Sequence, residues 1–125
     1  MLTSKVNSQF LDILFEEIKT KCKIDDPEKS YTAFLSQSGV ENITKKVIEE
    51  AFEVAISAID GKNHQNGKQQ IIAETADLFY HVLVLLASKN VELEDVIVEL
   101  KTRNQNNNLS KKAIAKNKIK LGHGK

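Results

Sequence analysis

Two stretches of this chain are apolar on almost every side of a helix, and that limits the folds open to it. Between Asn42 and Ile59 the apolar residues fall in two stripes, Val47/Ala51/Val54/Ala55/Ala58 and Ile48/Phe52/Ile56/Ile59. The stretch IIAETADLFYHVLVLLAS, residues 71–88, is apolar nearly all round as well. A surface helix needs only one apolar stripe, so two helices with more than one belong in the middle of a bundle or between two chains. One proline, five glycines and no tryptophan in 125 residues argue against a turn-rich β-sandwich. The expected fold class is all-α: a bundle of four to five helices in one domain, completed by pairing with a second copy.

The remaining elements follow from periodicity and breakers. Val6, Phe10, Ile13, Leu14, Ile18 and Cys22 recur at three- and four-residue spacing and predict an amphipathic first helix. DDPEKS at 25–30 ends it, because Pro27 cannot continue a helix, and a short helix over Tyr31–Gln37 follows before Ser38-Gly39. Glu41 or Asn42 is placed to cap the first of the two apolar helices, and Asp60-Gly61 closes it. The polar stretch GKNHQNGKQQ, 61–70, reads as a loop, and Asn90 ends the second apolar helix. LEDVIVELKTR then opens with acids and closes with bases, as the helix dipole prefers.

The only cysteine is Cys22, so no intrachain disulfide and no cysteine-based zinc site is available, which suits a reducing compartment. The start lacks the charged-then-apolar pattern of a secretory signal, and the most apolar run, Leu78–Ala87, is broken by Tyr80 and His81. The expectation is a cytoplasmic protein with no membrane partner. Net charge is +1, but residues 105–125 hold six lysines and no acid. The first 104 residues, with twelve bases and seventeen acids, therefore stand at −5, and overall charge gives no reason to expect a nucleic-acid partner. The Asn/Lys-rich tail 105–125 has too few apolar residues for a core and is expected to be flexible or weakly helical, separate from the domain at 1–104.

Five carboxylates sit inside the two apolar helices. At about 100° per residue, Glu49, Glu50 and Glu53 share roughly a 100° arc of the first, and Glu74, Asp77 and His81 share roughly a 60° arc of the second. An unpaired buried carboxylate costs several kcal/mol, so these acids are protonated, paired with cations, or holding a metal. The nearby cations are Lys45 and Lys46, too few for five acids, whereas a hard divalent cation takes oxygen donors. Glutamates lining a solvated groove, or paired with lysines across a bundle, satisfy the same spacing. A di-iron bundle does not, since no Glu has a His three residues on. His64 and His123 fall in the loop and the tail and read as exposed bystanders.

The runs SYTAFLSQSGVENITKKVIEEAFEVAISA and AETADLFYHVLVLLASKNVELEDVIVELKTR resemble the phosphoribosyl-ATP pyrophosphohydrolase family. The similarity covers roughly residues 8–104 and rests on the composite of SYTA, KKVxEExxE-like, ExxDLxYH and LEDV segments at these separations. EExxE plus ExxD alone marks only the wider MazG-like and dUTPase-like group. The resemblance implies an all-α nucleotide pyrophosphatase fold and Mg²⁺-dependent (or Mn²⁺-dependent) hydrolysis of phosphoribosyl-ATP to phosphoribosyl-AMP and pyrophosphate, the second step of histidine biosynthesis. It implies a homodimer. Carried over residue by residue, Glu49, Glu50, Glu53, Glu74 and Asp77 match the metal-binding and catalytic acids. Lys45 and Lys46 are placed to reach phosphate oxygens or to lie along the surface; Tyr31 and Thr32 match the SYTA approach, as substrate contacts or as a local cap and packing; His81 is placed to steady a carboxylate or a phosphate, or to be a satisfied core histidine.

The chain departs from the family pattern at three places. Phe34 stands where a basic residue commonly follows SYTA, Ile48 stands where glycine usually precedes the paired acids, and the segment Gly61–Ile71 is a few residues longer. A MazG-like house-cleaning pyrophosphohydrolase acting on nucleoside triphosphates is the alternative reading. A non-catalytic helical assembly module is a third, against which stands the retention of all five acids.

Overall fold

The computed structural model describes residues 2–23, 26–60, 66–106, 111 and 113–118. The segment 61–65 with His64, the end of the tail with His123, and the side chain of Val6 lie outside the described residues. Five helices run in the order α1 (Leu2–Cys22), α2 (Tyr31–Ser38), α3 (Val40–Asp60), α4 (Gly67–Ser88) and α5 (Leu93–Gln105), and 113–118 are helical too. The all-α expectation holds. Met1–Val91 forms one compact unit, and Glu92–Lys125 a second.

In the first unit α3 and α4 pack most extensively on each other; α1 lies on α4, and α2 touches all three. Phe15 and Ile18 of α1, Ala33 and Leu35 of α2, Ile43 of α3, and Leu83 and Val84 of α4 form its core. The buried stripe of α1 differs from the expected one. Phe15 and Ile18 are inward, whereas Phe10 and Ile13 are more than half exposed, on a side of α1 left uncovered among the described residues. The same holds for α3, which was expected to be covered on most sides: Ile48, Phe52 and Ile59 are each at least 60% exposed, along one face.

The helix ends show how local chemistry positions the site. Ser30 caps α2, its Oγ accepting from Ala33 N at 3.1 Å. Only Gly39, at φ 98° and ψ 162°, separates α2 from α3. Ile43 N–H donates to Gly39 O, so α3 starts at Val40 rather than at a Glu41 or Asn42 cap, and Asn42 Nδ2 instead donates to Ser38 Oγ at 2.9 Å. α4 starts at Gly67, four residues before the apolar periodicity does. It ends in a Schellman motif: Val91 N–H reaches Leu86 O at 2.9 Å, Asn90 N–H reaches Ala87 O, and Asn90 takes the left-handed φ of 57°. By length and hydropathy α4 is a candidate membrane span. It also packs against three helices and carries Glu74, Asp77 and His81.

Within the second unit, α5 has Glu94 and Asp95 in its first turn and Arg103 in its last, and Arg103 Nε donates to Glu99 Oε2 at 2.8 Å.

Candidate active site

α3 and α4 face each other with acids at the contact. Oxygens from Glu50, Glu74 and Asp77 all lie within 4.8 Å of one another. The spacing reading therefore brings three of its five acids to one point. Glu53, on the next turn of α3, is exposed but close enough to act on the Glu74 carboxyl. Glu49 is not in this cluster. Its Oε2 is 3.6 Å from Lys46 Nζ, and its side chain is 47% exposed against 13% for Glu50.

Like charges crowd the cluster. Loss of solvent raises the Glu74 pKa from its ordinary value, and Asp77, Glu53 and Glu50 raise it further by repulsion. Lys46 lies 3.5 Å from Glu50 Oε1 and bridges the two adjacent glutamates. Partial burial works to lower its pKa, but the Tyr31 phenol, Glu50 and Glu49 together outweigh that and raise it. Lys45 is exposed. All three clustered donors are carboxylate oxygens, the set a hard divalent cation takes. Oxygens on opposite sides of a Mg²⁺ stand about 4.2 Å apart, close to the 4.8 Å span of this cluster.

α2 forms a second wall through two adjacent contacts with α4. Tyr31 Oη lies 2.8 Å from His81 Nε2, with the rings edge-on, and the Thr32 hydroxyl pairs with that of Tyr80. His81 Nδ1 donates to the Asp77 carbonyl at 2.7 Å. His81 and Thr32 are buried, while Tyr31 is half exposed. Burial raises the Tyr31 phenol pKa, opposed by Lys46 and reinforced by Glu50, Tyr80 and Asp77. Tyr80 is the site residue that sequence reasoning missed. The available signal was a hydroxyl inside the most apolar run, since a buried Tyr hydroxyl needs a partner.

An all-α bundle that gathers oxygen ligands from two neighbouring helices, with a lysine on their edge, is the class of protein that handles a cation together with an anionic group. The profile of the phosphoribosyl-ATP pyrophosphohydrolase family matches residues 12–104, and the chain belongs to that family. It is 50% identical over 93 residues, 74% of its own length and 84% of the relative's, to a phosphoribosyl-ATP pyrophosphatase of Listeria monocytogenes. The Bacillus mycoides protein of that name is 46% identical over 94 residues, covering 75% of this chain and 82% of the relative. A histidine biosynthesis bifunctional protein HisIE of Caldanaerobacter subterraneus is 44% identical over 95 residues, 76% of this chain and 43% of that protein.

Proposed function

We propose that this chain hydrolyses the α–β anhydride bond of phosphoribosyl-ATP, giving phosphoribosyl-AMP and pyrophosphate in histidine biosynthesis in the cytoplasm. The observation that carries this is the Glu50/Glu74/Asp77 cluster, at the meeting of α3 and α4, inside the segment matched to the family. In this reading Glu50, Glu74 and Asp77 would hold Mg²⁺. When bound, the ion would supply positive charge against the polyphosphate and acidity to a water. The chain's own residues do the rest. Lys46, poised by Glu49 and Glu50, meets phosphate oxygens as a point charge, with exposed Lys45 beside it in sequence. A carboxylate left over from the cation, Glu49 or Glu53, takes the proton of the attacking water. Tyr31 lines the approach, while buried Thr32 and His81 hold the wall from behind.

The test is pyrophosphate release from phosphoribosyl-ATP by purified protein with Mg²⁺ against an EDTA control. Release that stops in EDTA supports the reading. No release above blank, with ordinary nucleoside triphosphates cleaved, transfers the assignment to a MazG-like enzyme.

We also read the chain as a homodimer. Ile48, Phe52 and Ile59 form an exposed apolar face on the helix that carries the acids, and covering such a face with a second copy removes it from water.

A further inference from the structure

A neutral imidazole has one donor and one acceptor, and the surroundings of His81 decide which nitrogen is which. A carbonyl oxygen only accepts, so the 2.7 Å contact between His81 Nδ1 and Asp77 O places the proton on Nδ1. Nε2 is then the acceptor, and the Tyr31 hydroxyl, 2.8 Å away, donates to it. The single phenolic proton is thereby committed inward, to a histidine sealed from solvent, while Tyr31 itself is 51% exposed. Its oxygen has only lone pairs left for a group outside the wall.

Location limits what that group can be. One imidazole ring and two hydrogen bonds separate the phenol oxygen from the backbone of Asp77, whose carboxylate belongs to the three-oxygen cluster. The activity reading puts the α–β bond at this cluster, and the nearest part of the nucleotide with hydrogen-bond donors is the ribose joined to the α-phosphate. A phosphate oxygen and this phenol oxygen would both be acceptors, and only a donor such as a sugar hydroxyl complements it. We propose that Tyr31 is a specificity residue that accepts a hydrogen bond from a hydroxyl of that ribose, its own proton being committed to His81. This deepens the activity reading and rests on it.

The competing role is a plain staple between α2 and α4. The Thr32–Tyr80 contact joins the same two helices one residue away, so Tyr31→Phe removes a hydroxyl without freeing α2. Loss of the bond to His81 lowers the melting temperature under either role, and substrate analogues carry the decision. Steady-state pyrophosphate release with saturating Mg²⁺ is measured on phosphoribosyl-ATP and on its 2′-deoxy and 3′-deoxy analogues in the ATP-derived ribose. On phosphoribosyl-ATP, Tyr31→Phe is expected to raise KM about three- to tenfold, the loss of one neutral hydrogen bond, with kcat within about twofold. On the deoxy analogue that lacks the recognised hydroxyl, the unsubstituted chain and Tyr31→Phe converge on one KM. Inhibition by pyrophosphate, which has no sugar hydroxyl, is the same in both. A Tyr31→Phe penalty of unchanged size on both deoxy analogues overturns ribose recognition, and weaker pyrophosphate inhibition in Tyr31→Phe overturns the acceptor polarity. An unchanged KM for Tyr31→Phe on phosphoribosyl-ATP overturns the proposal and leaves Tyr31 a staple, with the activity reading standing. No pyrophosphate release by the unsubstituted chain removes the activity reading, and the proposal with it.

Discussion

Glu50 is the acid on which the site turns: the less exposed of the paired glutamates, part of the three-oxygen cluster and bonded to Lys46. Glu50→Gln is expected to lower kcat by about 10²–10³-fold, the scale for removing one preorganised electrostatic group, and to raise the Mg²⁺ midpoint. Glu49→Gln, outside the cluster, shifts that midpoint less. Glu74 gives a pH signature in EDTA. Its folded-state pKa is raised, by lost solvation first and then by Asp77, Glu53 and Glu50, so the folded chain binds this proton more tightly than the unfolded chain does. The resulting stability is fully present below the ordinary value near 4.5 and is lost as pH rises through the folded value. Urea midpoints measured upward from pH 4.5 should fall in the parent and flatten in Glu74→Gln. The acids were legible because helical spacing alone puts Glu50, Glu74 and Asp77 on facing stripes. That Glu50 joins the cluster and Glu49 does not was not, since neighbouring residues share an arc whichever way their side chains bend. Tyr31 and His81 are fifty residues apart, a pairing that no local period encodes.

Periodicity locates the helices, and the differences from the structure collect at their ends. GKQQ has little apolar content, so periodicity leaves the first turn of α4 in the loop. α3 starts earlier than a Glu41 or Asn42 cap predicts because Gly39, not a polar cap, begins it. Ser30 caps α2 one residue before its expected start at Tyr31. Ser30→Ala should cost about 1 kcal/mol of stability in urea unfolding. Gly39 has open space where a Cβ would go, yet its φ of 98° and ψ of 162° suit only glycine. Gly39→Ala should therefore cost about 1–3 kcal/mol through backbone strain alone.

For the whole molecule, the apolar content that first pointed to a buried position for residues 42–59 is only half used within one chain. Ile48, Phe52 and Ile59 remain outside, and the dimer reading accounts for them. Sedimentation at micromolar concentration should give a dimer for the parent chain and a monomer for Phe52→Glu. Truncation after Gln105 should leave turnover intact, since every residue of the candidate site and the whole family match precede it.

The one-residue break at Gly39 also governs how this chain tolerates insertion. α2 is tied covalently to α3 at one end and by the Tyr31–His81 and Thr32–Tyr80 contacts to α4 near the other. One added residue provides up to about 3.3–3.6 Å of slack, more than a 2.8 Å hydrogen bond survives. An inserted residue at this junction is thus expected to break the site's second wall, so the spacing from SYTA to the paired glutamates acts as a ruler within this chain.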